Sequence, residues 1–185
     1  MYGYPRAPGL VFTERRADLR RHAGEISFPG GGRDHPGEPL VTTALREAEE
    51  EIGLDRDAVE LGGALPPVGT FVTGFKVYPF VGLIAEDVPL RPSPSEVAAV
   101  LLFGLDELRA GFAMRRLVRR GLPIRTDTYL VGDDLIWGAT ARIVADLLDR
   151  LAALGLTGDP DHLAEDRGAQ APGARLPTSS SRSAR

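Results

Sequence analysis

From Pro39 to Gly53 the chain reads PLVTTALREAEEEIG, and no other stretch constrains its fold as tightly. Leu40, Val41, Ala44, Leu45, Ala48 and Ile52 recur at helical spacing, which predicts an amphipathic helix. Pro39 suits its first turn and Gly53 its C-terminal end. The second half, Arg46-Glu47-Ala48-Glu49-Glu50-Glu51, holds four carboxylates. At about 100° per residue, Glu47 and Glu51 fall together along one edge of the apolar face. Glu50 lies on the same side further out, and Glu49 points nearly opposite. Like charges at i,i+4 cost a helix about 0.2–0.5 kcal/mol per pair, and Arg46 offsets only part of that through Glu50. Carboxylate oxygens gathered this way suit a hard divalent cation such as Mg²⁺. An arbitrary glutamate run is more often a solvated face, so the neighbouring residues must decide.

Those neighbours are specific. Gly32, Glu38, Arg46, Glu47, Ala48, Glu50, Glu51, Gly53 and Leu54 meet the pattern G-x5-E-x7-R-E-U-x-E-E-x-G-U, with U aliphatic. The stretch therefore resembles the Nudix box, and only Ala48 is small for its slot. The resemblance implies the Nudix α/β/α sandwich, an α/β fold with a mixed β-sheet. It also implies hydrolysis of a nucleoside diphosphate linked to another group, with Mg²⁺ or Mn²⁺ as cofactor. On that reading Glu47 and Glu51 bind the metal, Glu50 adds a ligand, and Arg46 orients the carboxylates by pairing with Glu50. Nudix enzymes often take one more carboxylate from outside the box, and Glu96 is the candidate; a strand-edge glutamate without a role is the plain alternative. One of Glu47, Glu50 or Glu96 would accept the proton of the attacking water.

A basic segment precedes the box. The run VFTERRADLRRHAGEISFPGG resembles L-L-T-x-R-[SA]-x3-R-x3-G-x3-F-P-G-G, which marks the coenzyme A diphosphatase branch of the family. Thr13, Arg15, Arg20, Gly24 and Phe28-Pro29-Gly30-Gly31 fall at the matching places. Val11 and Phe12 replace two leucines, and Arg16 stands where the pattern has a small residue. Coenzyme A carries a diphosphate and a 3′-phosphate, and guanidinium groups bind phosphate oxygens bidentately. Arg15 and Arg20 are thus the expected phosphate contacts, whereas His22 reads as a surface histidine. The resemblance implies 4′-phosphopantetheine and adenosine 3′,5′-bisphosphate as products. ADP-ribose or another nucleotide derivative is the alternative substrate, and a catalytically silent binding module the alternative class. The Arg15/Arg20 segment and the intact Glu47, Glu50 and Glu51 set speak against these in turn.

Between the two motifs, Pro29 and three glycines end a strand expected over Glu25–Phe28. Glycine allows a sharp turn and close approach of a ligand, so the Gly31 or Gly32 carbonyl is a candidate contact with substrate or metal. Glu38 either orients the site or complements the helix dipole.

The net charge of −4 argues against a general nucleic-acid binder, and the absence of cysteine removes disulfides, zinc-thiolate sites and a thiol nucleophile. No signal segment or membrane-length apolar run is present, so the expected protein is cytoplasmic, acts on a small molecule and has no membrane partner. Whether it forms a homodimer is left open.

One domain is expected over residues 1–155, followed by a flexible Ala/Gly/Pro/Ser-rich tail over 156–185. Gly9–Thr13 reads as a buried strand after a loop. The family places a strand upstream of this point, so the chain is expected to lack the usual first strand and to leave a sheet edge unpaired. Further strands are expected within Leu61–Val72, over Lys76–Ile84 with Pro79 marking an edge or bulge, over Glu96–Leu105 and over Tyr129–Val131. Helices are expected over Asp106–Arg120, whose closing arginines suit the dipole, and over Leu135–Leu154. Trp137 reads as a core anchor.

Overall fold

A computed structural model describes residues 8–19, 24–70, 74–119, 121–156 and 174–177. Along the chain run β1 (Gly9–Arg15), β2 (Ile26–Ser27), α1 (Leu40–Ile52), β3 (Glu60–Ala64), β4 (Val68–Gly69), β5 (Lys76–Val77) and β6 (Phe80–Leu83). There follow β7 (Val97–Gly104), α2 (Leu105–Gly111), β8 (Phe112–Arg119), β9 (Leu122–Val131), β10 (Asp134–Trp137), α3 (Gly138–Ala153) and β11 (Ala174–Pro177).

The centre is β7, whose sequence VAAVLLFG is apolar at almost every position because both of its faces are covered. Ala99, Leu101 and Phe103 face a core shared with Leu10 and Phe12 of β1, Leu108 of α2, and Ala141, Val144, Leu147, Leu148 and Leu151 of α3. Val97 and Val100 face a second core with Ala48 and Ile52 of α1, closed by Leu54 and Ile84. Helices thus lie on opposite sides of one sheet, which is an α/β/α sandwich. No helix among the described residues is long and apolar enough to cross a membrane.

The first sheet has the order β11-β7-β1-β2, with each neighbouring pair antiparallel. A second has the order β10-β9-β8, and two-stranded pairs β3-β6 and β4-β5 complete the set. In this sheet β7 is flanked by β1 and by β11, and β2 and β11 are its outer strands among the described residues. The β11 strand arises from residues that composition assigns to a flexible tail; the four residues Ala174–Pro177 pair with Ala99–Leu102.

The largest departure from expectation follows α2. A helix to Arg120 is predicted, yet the helix ends at Gly111 and Phe112–Arg119 is a strand paired over eight positions with β9. A Cβ at Gly111 would stand 2.2 Å from the Leu130 carbonyl oxygen, so the chain passes β9 too closely for any side chain there. Gly121, at φ 77°, makes the tight return. Arg115, Arg116 and Arg119 therefore belong to a hairpin, and the helix dipole explains none of them. For the same reason the strand expected at Tyr129–Val131 begins at Leu122. The helix expected from Leu135 begins at Gly138, because Asp134–Trp137 pairs with β9 first. Trp137 is half-buried at the start of α3.

Candidate active site

The acidic helix α1 starts at Pro39, whose extended backbone (ψ 137°) serves as its N-cap, and stops at Gly53, left-handed at φ 64°. Gly53 donates its N–H to the Glu49 carbonyl at 2.9 Å, which closes the last turn. Ala48 and Ile52 are buried and fix the helix rotation, and that rotation decides where each glutamate points. Glu49, exposed, pairs with Arg56 on the far side.

Glu47, Glu50 and Glu51 meet Glu96, Ser93 and Ser95 around a cleft of about 180 Å³. Glu96 lies just before β7, and the loop leading to it is tied to the helix end: Arg91 N–H donates to the Ile52 carbonyl at 2.6 Å and Ser93 N–H to the Glu51 carbonyl at 2.7 Å. Four carboxylates from two distant parts of the chain thus share one opening. Burial pushes the Glu51 carboxyl up to about 7, and the negative charges of Glu47 and Glu96 add to the rise. A hydrogen bond from the Gly30 N–H at 3.1 Å works against it. Burial also raises Glu47, with Arg46 opposing. Crowded carboxylates of this kind fit a hard divalent cation, which would relieve their mutual repulsion. Among the described residues, however, no three acidic or histidine side chains already form a finished ligand cage.

Arg46 organises this group. Its side chain is only 13% exposed and pairs with Glu38 at 3.0 Å, Glu47 at 3.0 Å and Glu50 at 3.2 Å. It also donates to the Gly32 carbonyl at 2.8 Å. Glu38 is buried and receives the Asp34 N–H at 3.0 Å as well. Arg46, and next that N–H, hold its carboxyl down to about 2. Glu38 therefore locks Arg46 and the glycine loop to the helix; complementing the dipole does not require these bonds. Gly31 is in place because its α-hydrogen faces Glu47: a Cβ would stand 2.1 Å from Glu47 Oε2. The Gly32 carbonyl accepts from Arg46.

Arg15 reaches the rim of the cleft, with Nη1 3.4 Å from Glu96 Oε2. Arg20 and His22 lie outside the described residues. Ser93, Ser95 and Asp34 escape sequence reasoning, since RPSPS carries only a loop signal and Asp34 has no pattern of its own.

Comparison with known proteins bears on the family and the fold. The sequence model of the NUDIX domain matches residues 5–121. A protein of Cronobacter sakazakii (strain ATCC BAA-894), named an uncharacterized Nudix hydrolase NudL, is 44% identical over 142 residues, or 76% of this chain and 73% of that protein. A protein of the same name from Escherichia coli O1:K1 / APEC is 42% identical over 142 residues, again 76% of this chain and 73% of its own. Among solved structures, the M. smegmatis Nudix hydrolase RenU superposes with a TM-score of 0.50 at 17% identity, over 85% of this chain and 82% of RenU, a likeness of fold.

Proposed function

Because the chain belongs to the Nudix hydrolase family, we propose that it hydrolyses the diphosphate of coenzyme A or its derivatives, giving 4′-phosphopantetheine and adenosine 3′,5′-bisphosphate. One observation carries the substrate choice. Arg15, from the segment that resembles the coenzyme A branch, reaches the rim of the carboxylate cleft and meets Glu96 there. Motif and cleft are thereby joined at one place.

Nudix hydrolases generally use divalent metal ions, and Glu47, Glu51 and Glu50 are the residues that would hold Mg²⁺ or Mn²⁺ here. Such an ion makes water more acidic, shields the phosphates and stabilises the leaving oxygen. Glu96, Glu47 or Glu50 accepts the proton released as water attacks one phosphorus. Arg46 keeps Glu47 and Glu50 turned toward the cleft, and Glu38 keeps Arg46 in place. Arg15 exchanges its contact with Glu96 for a phosphate oxygen, and Arg20 is a further phosphate contact by resemblance.

Incubation of the purified full chain with Mg²⁺ or Mn²⁺ and a panel of coenzyme A, acyl-coenzyme A, ADP-ribose and nucleotides tests the reading. Release of both named products from coenzyme A is expected. Turnover of ADP-ribose with none of coenzyme A would reject the substrate while leaving the chemistry, and no turnover of anything would favour a silent module.

A further inference from the structure

Arg16 stands where the segment this chain resembles has a small residue, and its Nη1 and main-chain N–H reach the loop that lines the cleft. Its Nε and Nη2 donate to the two carboxylate oxygens of Asp18 at 2.9 and 2.8 Å, so the guanidinium is gripped along one edge. That leaves Nη1 to donate to the Pro94 carbonyl at 2.5 Å. The Arg16 main-chain N–H donates to the Glu96 carbonyl at 3.0 Å. The register between β1 and β7 shifts at Glu14/Arg15, just before this point, so the Arg16–Glu96 bond lies beyond the regular ladder.

Both grips fall on the segment that carries Ser93, Ser95 and Glu96 to the cleft. Its other end hangs from α1 through the Arg91 and Ser93 N–H groups. The segment is thus suspended between the acidic helix and the end of β1. On the β1 side, Arg16 supplies one side-chain bond and one main-chain bond. A small side chain at this position could not reach the Pro94 carbonyl. Arg16 is 40% exposed and its pair with Asp18 is a surface pair, so it adds little to overall stability. The position of a loop, however, is decided by few such bonds.

We propose that Arg16, clamped by Asp18, is a positioning residue: it holds the 93–96 loop against the acidic helix and so sets where the Glu96 carboxylate stands over the cleft. The inference rests on the cleft being the hydrolytic site, and the experiment separates the two.

Kinetics of coenzyme A hydrolysis at saturating Mg²⁺ are measured on the full chain for the wild type, Arg16→Ala, Glu96→Gln and the double variant. Amide hydrogen exchange is followed alongside. Arg16→Ala is expected to lower kcat about tenfold with KM nearly unchanged, and to add nothing in the Glu96→Gln background. Arg16→Lys recovers part of the rate, since an ammonium also donates to Pro94, and Asp18→Asn shifts kcat in the same direction as Arg16→Ala. The amides of Ser93, Glu96 and Val97 exchange about tenfold faster in Arg16→Ala, while the core strands keep their protection. An unchanged kcat, an equal fall in both backgrounds, or a change confined to KM overturns the proposal. If the wild type hydrolyses none of the panel, the functional reading fails, and exchange alone decides the loop: faster exchange at those three amides supports the positioning role, and unchanged exchange overturns it.

Discussion

Replacing Glu51 with glutamine is expected to stabilise the metal-free protein and abolish its activity together. The Glu51 carboxyl ionises at about 7 instead of 4.5, first because it is buried and then because Glu47 and Glu96 repel its charge. The folded protein therefore holds this proton more tightly than the unfolded chain does. The stabilisation is complete below pH 4.5 and is lost as pH rises through about 7. At about 1.4 kcal/mol per pH unit, discounted for partial exposure, the ionised carboxylate costs the fold about 2–3 kcal/mol at pH 8. Glutamine keeps an oxygen for the Gly30 N–H and carries no charge. Thermal unfolding in chelator should place Glu51→Gln about 4–12 °C above the wild type at pH 8, from about 2–4 °C per kcal/mol for a chain this size. By pH 5 the advantage should shrink about fourfold. Added Mg²⁺ should then raise the wild type far more than the variant, because the cation needs the charge that glutamine lacks. A variant no more stable at pH 8, or equally stabilised at both pH values, would refute the electrostatic reasoning. A wild type indifferent to Mg²⁺ and Mn²⁺ would refute the metal assignment.

Three more outcomes test the surroundings of that carboxylate. Gly31→Ala places a methyl carbon 2.1 Å from Glu47 Oε2 and forces that carboxylate aside, so kcat should fall about tenfold or more. Its melting temperature should barely move, since the displaced atom ends a flexible side chain. Glu38, held down to about 2 by Arg46, contributes stability that is present above about pH 4.5 and is lost as pH falls toward 2. In Glu38→Gln, acid titration followed by circular dichroism should lack that component, and its persistence would mean another group is responsible. Glu49→Gln should leave kcat within about twofold of the wild type and cost under about 1 kcal/mol, because it breaks only the exposed pair with Arg56.

Much of the molecule was legible from local pattern. The 3.6-residue recurrence through Leu40–Ile52 fixed the helix face, and with it the placement of Glu47 and Glu51 together and Glu49 apart. The apolar run of β7 and the stripe of α3 were likewise visible, since each satisfies its backbone and buries its side chains by a rule of spacing. The stretch Phe112–Arg119 was not. Its residues are compatible with a helix, and it becomes a strand because β9 lies beside it and Gly111 brings the two chains close. Nothing local to Ala174–Pro177 announces a strand either; its partner Ala99–Leu102 lies far back in the sequence.

The same division runs through the site. Spacing alone determined that Glu47, Glu50, Glu51 and Arg46 would sit on one side of a helix, because helical geometry is set by neighbours in the chain. Only the fold decided that Glu96, Ser93 and Ser95 close the other side of the cleft, and that Arg16 reaches Pro94. It also decided that the cluster is crowded enough to raise Glu51 to about 7. Desolvation and charge repulsion depend on distances through space between segments tens of residues apart, and no local pattern encodes those distances.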